Sequence, residues 1–197
     1  MNYIKLGGMV LLACLIADTH AASPKPSGFL KDYSQLVEGE YLEAVWADIP
    51  AIQRSEAPEI MLGDIATVGV SDGKDVSVTD CVSWLKRDIL SGNIVSEQRD
   101  APYRLELAIT HLDPGSAAAR ILAGEFGAGH AQLQVEGRVL DVKNNHVVFR
   151  FAERRRSSGK IGLEDLDGKG AVHIFEHLAA LVSSDVNNEL LAAFIAR

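Results

Sequence analysis

Residues 113–151 constrain the fold more than any other part of this sequence. In the second half of this segment, apolar and polar residues alternate in two runs, which the turn at residues 143–146 separates. A period of two residues is typical of a strand with one buried face, and the two asparagines of the turn tolerate positive φ. The segment therefore predicts an antiparallel hairpin with these apolar residues on one face: Ala131, Leu133, Val135, Val139, Val147, Phe149 and Phe151.

The first half of the same segment predicts a turn, a short helix and a glycine elbow. Asp113-Pro114-Gly115 reads as the turn, Ser116 can cap a helix over residues 117–123, and residues 124–129 form the elbow. The elbow does not match the G-x-G-x-x-G pattern of a dinucleotide site, and its Glu125 would repel a phosphate. We therefore expect the glycines to serve backbone geometry.

The remaining periodic segments predict three strands and two helices. Residues 44–46 and 59–70 read as strands, and alternation from Tyr103 to Ile109 predicts a third. A helix should begin after Ser77 and end at Gly92, with Cys81 beside its apolar stripe. The last helix, over residues 171–197, has an apolar stripe of Phe175, Leu178, Val182, Val186 and Leu190.

From residue 59 onward, these elements follow the order β-α-β-(α)-β-β-α. A strand, helix and strand in succession usually give a parallel pair, whereas the hairpin is antiparallel. The sequence therefore predicts an α+β or α/β fold, with a single mixed sheet and helices packed on it.

The N-terminus has the features of an export signal. A short charged region precedes the apolar residues 6–17, a run too short to span a bilayer, and Thr19-His20-Ala21 offers small residues for cleavage before Ala22. A second interpretation stays open, because Leu11-Leu12-Ala13-Cys14 resembles a lipobox. In that case residues 1–13 would be a lipoprotein signal and Cys14 the lipidated mature N-terminus. Both interpretations place the chain outside the cytoplasm.

The mature chain divides into an N-terminal arm and one α+β domain. Residues 22–58 form the arm, in which 22–27 read as a Pro/Ser-rich tether and 28–36 as a segment that latches onto the domain; residues 59–197 form the domain. The formal net charge of −8 excludes a general attraction to nucleic acid. We expect no cofactor, and no disulfide once Cys14 is removed or lipidated.

Two stretches of this sequence resemble known families. The segment after the export signal, GFLKDYSQL, resembles the opening of a family of uncharacterised bacterial lipoproteins. The segment PGSAAARILAGEFGAGHAQLQVEGRVLDVKNNHVVFRF resembles a related uncharacterised envelope family. The predicted topology is also similar to modules of penicillin-binding-protein activator lipoproteins, the TolB amino-terminal domain and curli-secretion lipoproteins, a likeness of fold alone. The resemblance implies an envelope protein, outer-membrane or periplasmic, that binds other envelope components without catalysis.

One motif points instead to a small zinc hydrolase. His173, Glu176 and His177 match H-x-x-E-H on a helix, where the histidines at i and i+4 share a face and the glutamate can serve as general base. The apolar stripe runs through Phe175, and no third ligand follows within reach. Two histidines at the solvent edge of an amphipathic helix are the simpler explanation of the motif. Cys81, on the face of its own helix, is expected to be a buried small hydrophobe rather than a nucleophile.

Three consecutive arginines give the candidate interaction surface. Arg154, Arg155 and Arg156 are predicted to lie in a polar loop beyond the last strand, where they could bind an acidic envelope protein or polymer, or lipid headgroups. A solvated loop is the simpler alternative. We therefore expect an exported, non-catalytic binding protein that uses a sheet edge or this loop, with the zinc hydrolase and a periplasmic small-ligand binder as alternatives.

Overall fold

The sheet has six strands, and its two described helices contribute to one apolar core. The computed structural model describes residues 23–49, 59–73, 76–116, 130–157 and 169–195. The strands are β1 (Ala44–Ala47), β2 (Ile60–Thr67), β3 (Val95–Ser96), β4 (Tyr103–Asp113), β5 (Gln132–Asp141) and β6 (His146–Arg156); the helices are α1 (Val78–Leu90) and α2 (Lys169–Phe194). The strand order is β1-β6-β5-β4-β2-β3, which confirms the predicted single mixed sheet of an α+β fold.

The pairing in the sheet follows the predicted connections. β2 is parallel to β4 and to the short β3, whereas β4, β5, β6 and β1 pair antiparallel. In the β5–β6 turn, Asn145 has a φ of 50°, as the turn prediction requires. The signal peptide, Cys14, the predicted helix over 117–123 and the glycine elbow all lie outside the described residues.

The apolar faces of sheet and helices meet in one core. Every residue of the predicted α2 stripe is buried, and Phe194 of α2 contacts the ring of Tyr103 edge-on, with 5.0 Å between centroids. Gly137 interrupts the alternation on β5 because a Cβ there would overlap the ring of Phe151 on β6. The space that Gly137 leaves open is therefore filled by an aromatic side chain of the neighbouring strand.

Helix α1 begins as the sequence predicts but ends for a different reason. Ser77 is its N-cap, and its side chain accepts a hydrogen bond from the Thr79 N–H. The C-cap is Ser91, and Gly92 does not have the positive φ of a glycine C-cap. A side chain at Gly92 would instead overlap Asn187 of α2, so this glycine lets the two helices approach closely.

The arm packs on the face of the sheet opposite the helices. Its contacts with the sheet begin at Lys25, before the predicted latch at residues 28–36. The backbone of Lys25 forms two hydrogen bonds with the side chain of Gln134. The Lys25 N–H donates to Gln134 Oε1 at 2.9 Å, and Gln134 Nε2 donates to the Lys25 carbonyl at 2.7 Å. The prediction that residues 22–27 are only a tether is therefore wrong at Lys25. The predicted latch is confirmed: the Tyr33 hydroxyl donates to Glu136 Oε2 at 2.6 Å.

No helix in the described ranges is long and apolar enough to cross a membrane.

Candidate functional site

One edge of the sheet lacks a partner over most of its length. β3 pairs with β2 only at Ile60 and Met61, and among the described residues no chain pairs with the outer side of β2 beyond them. We call Leu62–Thr67 the open edge. A bulge interrupts it between Leu62 and Ile65, and the exposed Asp64 lies in this bulge. Unpaired N–H and C=O groups on such an edge can pair with another extended chain.

A groove of about 1000 Å³ runs beside the open edge. Apolar side chains from three elements contribute to its lining: Phe29 of the arm, Met61 and Ile65 of β2, and Val82 of α1. Its charged lining residues balance, with Lys86, Arg99 and Arg104 against Asp64, Glu97 and Glu106. The groove therefore offers apolar area next to an unpaired strand, the combination that strand addition uses.

A second groove, of about 500 Å³, lies on the arm side of the sheet and shares Arg104 and Glu106 with the first. We call it the arginine groove. One row of cross-strand neighbours forms its floor, from Glu106 on β4 through Arg138 on β5 and Arg150 on β6 to Trp46 on β1. Glu106 accepts from both of its neighbours: Arg138 Nη2 lies 2.7 Å from Oε2, and Arg104 Nη2 lies 2.9 Å from Oε1.

Arg150 joins this groove to the arm. Its guanidinium carbon lies 4.0 Å from the centroid of the Trp46 ring, and its Nη atoms donate to the Asp32 carbonyl and to Gln35 Oε1. The Asp32 carboxylate is 3.9 Å away. Arg150 therefore has a structural role as well as a place in the groove lining.

The three arginines of the predicted loop lie elsewhere than expected. β6 continues to Arg156, so the placement of Arg154, Arg155 and Arg156 beyond the strand end is wrong. Arg154 is 4% exposed and donates to Gln132 Oε1, while Arg155 forms ion pairs with Glu153 and Asp185. Alternation along a strand sends these two side chains to opposite faces, where each meets partners within the protein. Their role in partner binding stays a prediction.

Buried carboxylates cluster around Arg155 at the β1 side of the sheet. Arg155 Nε lies 2.7 Å from Glu153 Oε1, and its Nη2 donates to Asp185 Oδ2 at 2.6 Å. Burial raises the pKa of Glu153 to about 7, and burial together with the nearby Glu153 charge raises the pKa of Glu43 to about 7. Burial also raises the pKa of Asp185. One guanidinium is therefore shared among several carboxyl groups, and the ionised form of each is disfavoured.

These carboxylates hold the chain next to β1. Glu189 Oε2 accepts from the backbone N–H groups of Tyr41 and Leu42 at 2.7 and 3.1 Å, and Glu153 Oε2 accepts from the Glu43 N–H at 2.7 Å. The cluster therefore serves as an anchor for the segment that leads into β1.

The residues of the zinc alternative lie within one turn near the start of α2. His173 and His177 are exposed, and Glu176 accepts a hydrogen bond from Arg87 of α1 at 2.9 Å. Within the described ranges no group of three His, Cys, Asp or Glu side chains could hold a metal ion. Glu176 thus has an interhelical ion pair, and nothing in the described residues adds a third ligand to the two histidines.

Cys81 is a buried core residue, as predicted. It is 1% exposed, and burial raises the pKa of its thiol to about 12. A thiol with so high a pKa is a poor nucleophile near neutral pH.

The amino-acid sequence contains a signal for the arginine groove. Arg104, Glu106 and Arg138 occupy the polar positions of alternating strands, which were assigned to a solvated face. Opposite charges at matching positions of β4 and β5 indicate cross-strand pairs, but only the register brings Arg138 directly opposite Arg150.

Part of this chain is similar to a domain family whose function is not assigned. Residues 85–161 match the model of a domain of unknown function, DUF4410, which covers less than half of the chain. No curated protein matches the sequence.

Several solved structures are similar to this chain at low identity and low TM-score. The PelC dodecamer subunit from Paraburkholderia phytofirmans is 16% identical, with 70% of this chain and 96% of that one covered and a TM-score of 0.40. The hypothetical protein CT253 from Chlamydia trachomatis is 9% identical, with 69% and 99% covered and a TM-score of 0.48. The minor lipoprotein from Acinetobacter baumannii is 11% identical, with 69% and 92% covered and a TM-score of 0.38. These values describe a distant likeness of fold and say nothing about what this chain binds.

The resemblance seen in the sequence agrees with these findings at a coarse level. The match of residues 85–161 to a domain of unknown function agrees with a resemblance to an uncharacterised family. That this family consists of envelope lipoproteins stays a prediction. The likeness to penicillin-binding-protein activators, TolB and curli-secretion lipoproteins stays a prediction.

Proposed function

We propose that this protein is an exported accessory protein of the bacterial cell envelope that binds another envelope protein and catalyses no reaction. The export signal over residues 1–21 supports the location. The open edge carries the binding proposal, because it exposes unpaired backbone groups beside a groove with an apolar lining. The occupant of this groove would be an extended segment of the partner that adds a strand beside β2.

Thr67 allows a test of strand addition that leaves the sheet intact. Val68 donates its N–H to the Ile109 carbonyl of β4 at 3.0 Å. Since neighbouring residues of a strand direct their peptide groups to opposite sides, the Thr67 N–H points outward. Proline is tolerated on an edge strand where its missing N–H would face solvent. Thr67→Pro therefore removes one outward donor, and the matched control Thr67→Val keeps it.

The experiment compares envelope proteins that co-purify with the two variants and with the wild type after crosslinking in cells. We expect a partner that wild type and Thr67→Val retain and Thr67→Pro loses. A partner retained equally by all three proteins would show that the open edge does not bind it. Loss of the partner in Arg154→Ala with Arg156→Ala, but not in Thr67→Pro, would move the binding surface to the end of β6.

The membrane anchor is a separate part of this proposal. In the lipidated form, Cys14 would carry the acyl chains and residues 15–24 would connect them to the packed arm. Intact mass of the mature protein from its native envelope fraction distinguishes the two forms. A mass that begins at Cys14 and includes lipid supports an anchored protein, whereas a mass that begins near Ala22 without lipid makes it a soluble periplasmic or secreted one.

A further inference from the structure

The arginine groove concentrates positive charge in a protein whose formal net charge is −8. Four cationic side chains contribute to its lining, Lys31, Arg104, Arg138 and Arg150, against one carboxylate, Glu106. The Asp32 carboxylate, 3.9 Å from Arg150, is the nearest further counter-charge among the described ion pairs of these residues. The groove therefore keeps an excess of positive charge after both carboxylates are counted.

Two of these arginines lie directly opposite each other, an arrangement that a bound anion would stabilise. Arg138 and Arg150 are direct partners in the register of β5 and β6. Like charges at directly opposite positions of neighbouring strands are destabilising. Glu106 flanks Arg138 on the far side from Arg150, and it already accepts from Arg104 as well. A single carboxylate between two guanidinium groups cannot neutralise both of them.

The arginines also retain hydrogen-bond donors that nothing in the described structure uses. A guanidinium has five N–H donors in a planar fork. Arg104 forms one ion pair among the described residues, to Glu106, and its buried Nε has no hydrogen-bond partner there. The buried Nε of Arg150 also lacks a hydrogen-bond partner among the described residues. A buried donor without a partner is costly, and arginine forks match the oxygen atoms of carboxylates and phosphates.

The size of the groove limits the ligand. Its volume of about 500 Å³ lies within the range of small-molecule sites. Leu140, Val147 and Trp46 add apolar surface to its lining beside the charged residues. Both an anionic head and a compact body can be accommodated.

We propose that the arginine groove binds a small molecule, or the end group of a larger one, that carries a phosphate or carboxylate on a body about the size of a monosaccharide. Arg104 and Arg138 hold the oxyanion, and Arg150 contributes charge while it holds the arm. This site shares Arg104 and Glu106 with the groove beside the open edge, but it binds through arginine side chains and not through the backbone of β2. The purified protein suffices to test it, so its failure can be distinguished from failure of the envelope-protein proposal.

The test is calorimetric titration of the purified mature protein at low ionic strength with glucose 6-phosphate, glucuronate and neutral glucose. We expect both anions to bind and glucose not to bind. Added salt should weaken the binding, because exposed charges are screened. Vesicles that contain phosphatidic acid are the third anionic ligand, after glucose 6-phosphate and glucuronate. They show whether a lipid phosphate reaches the same site. Absence of binding in all three anionic arms overturns the proposal.

Two variants change the affinity in opposite directions. Arg104→Gln removes a donor fork and a positive charge, and we expect affinity to fall roughly tenfold. Glu106→Gln keeps the shape of the side chain and removes the competing carboxylate, so we expect affinity to rise roughly fivefold. Lys86→Gln is the matched control: it removes one positive charge from the exposed ion pair between Lys86 of α1 and Glu97, outside the arginine groove, and should change little.

The opposite sign is what separates a binding site from a structural network. If Glu106 only held the two arginines in place, Glu106→Gln would weaken anion binding along with Arg104→Gln. Either weaker binding in Glu106→Gln or unchanged binding in Arg104→Gln contradicts the proposal. Circular dichroism confirms that each variant is folded before its affinity is compared.

Discussion

The two edges of the sheet differ in how their edge strands are covered by the rest of the chain. At β1, the chain folds back so that Val37 and Val45 exchange backbone hydrogen bonds at 2.8 and 2.7 Å. Buried carboxylates of β6 and α2 then anchor the connecting segment. We call Val37–Ala47 the closed edge. At β2, the partner strand β3 is two residues long, and the bulge with its exposed Asp64 is the main protection of the edge beyond it.

The difference shows that, within the described ranges, buried carboxyl groups anchor the closed edge but not the open edge. The closed edge requires carboxyl groups to be buried, with pKa values of about 7 at Glu43 and Glu153, an arrangement that weakens the fold when the groups ionise. Among the described residues, no such anchor covers the open edge. Edge strands are usually covered or blocked, so an edge left open beside an apolar groove is the better candidate for a binding surface.

The largest effect is expected from removing the anchor of the closed edge. Glu189→Ala leaves the N–H groups of Tyr41 and Leu42 without their buried acceptor, so we expect the free energy of unfolding to fall by about 2–4 kcal/mol. Glu189→Gln is the matched control, because its amide oxygen can still accept, and its loss should stay within about 1 kcal/mol. Urea denaturation followed by circular dichroism measures both. Equal losses in the two variants would mean that charge, and not the hydrogen bonds, holds this edge.

A smaller effect is expected from pH. Glu43 and Glu153 have pKa values of about 7 in the folded protein and an ordinary value near 4.5 when unfolded. Between these values the folded state binds more protons, so stability should fall as pH rises from about 4.5 to about 7 and level off above. The slope is at most about 1.4 kcal/mol per pH unit for each proton concerned.

Glu43→Gln separates this carboxyl pair from the other titrating groups. The variant keeps the shape of the side chain and removes one of the two charges. We expect its stability to depend less on pH than that of the wild type between pH 5 and pH 8, as measured by urea denaturation at unit intervals. A difference between the two proteins that stays constant over this range would contradict the raised pKa of Glu43.

The smallest effect concerns self-association at the open edge. Asp64→Val replaces an exposed charge in the bulge with a residue that favours strands, so the edge of one molecule should pair more readily with that of another. Sedimentation velocity at increasing concentration should show a larger rise in the average sedimentation coefficient than for the wild type. Asp64→Asn, which loses the charge without gaining strand preference, should lie between them. Identical behaviour of Asp64→Val and wild type would show that the bulge alone protects this edge.

Much of the fold could be predicted from local pattern. The alternation of β4, β5 and β6 and the stripe of α2 arise because one face of each element is buried in the core, and this periodicity is visible in the sequence. The turn at Asn145 follows from the same kind of local chemistry.

The features that position the sites depend on contacts between distant segments. The pairing of Lys25 with Gln134 joins residues 109 positions apart, and no local pattern marks it. Arg154 and Arg155 read as a loop because charged residues are rarely buried. Their partners are Gln132 of the neighbouring β5, Glu153 of β6 itself and Asp185 of α2. The position of Gly92 was predicted, but its reason, the side chain of Asn187, is visible only in three dimensions.

The most direct test of the central claim is photo-crosslinking in cells with a photoreactive amino acid at one edge or the other. Ala66 places the probe on the open edge, and Val37, which is 66% exposed, places it on the closed edge. We expect a specific crosslink to an envelope protein from position 66, its loss when Thr67→Pro is added, and none from position 37. A crosslink from position 37 with none from position 66 would contradict the assignment of the open edge as the binding surface.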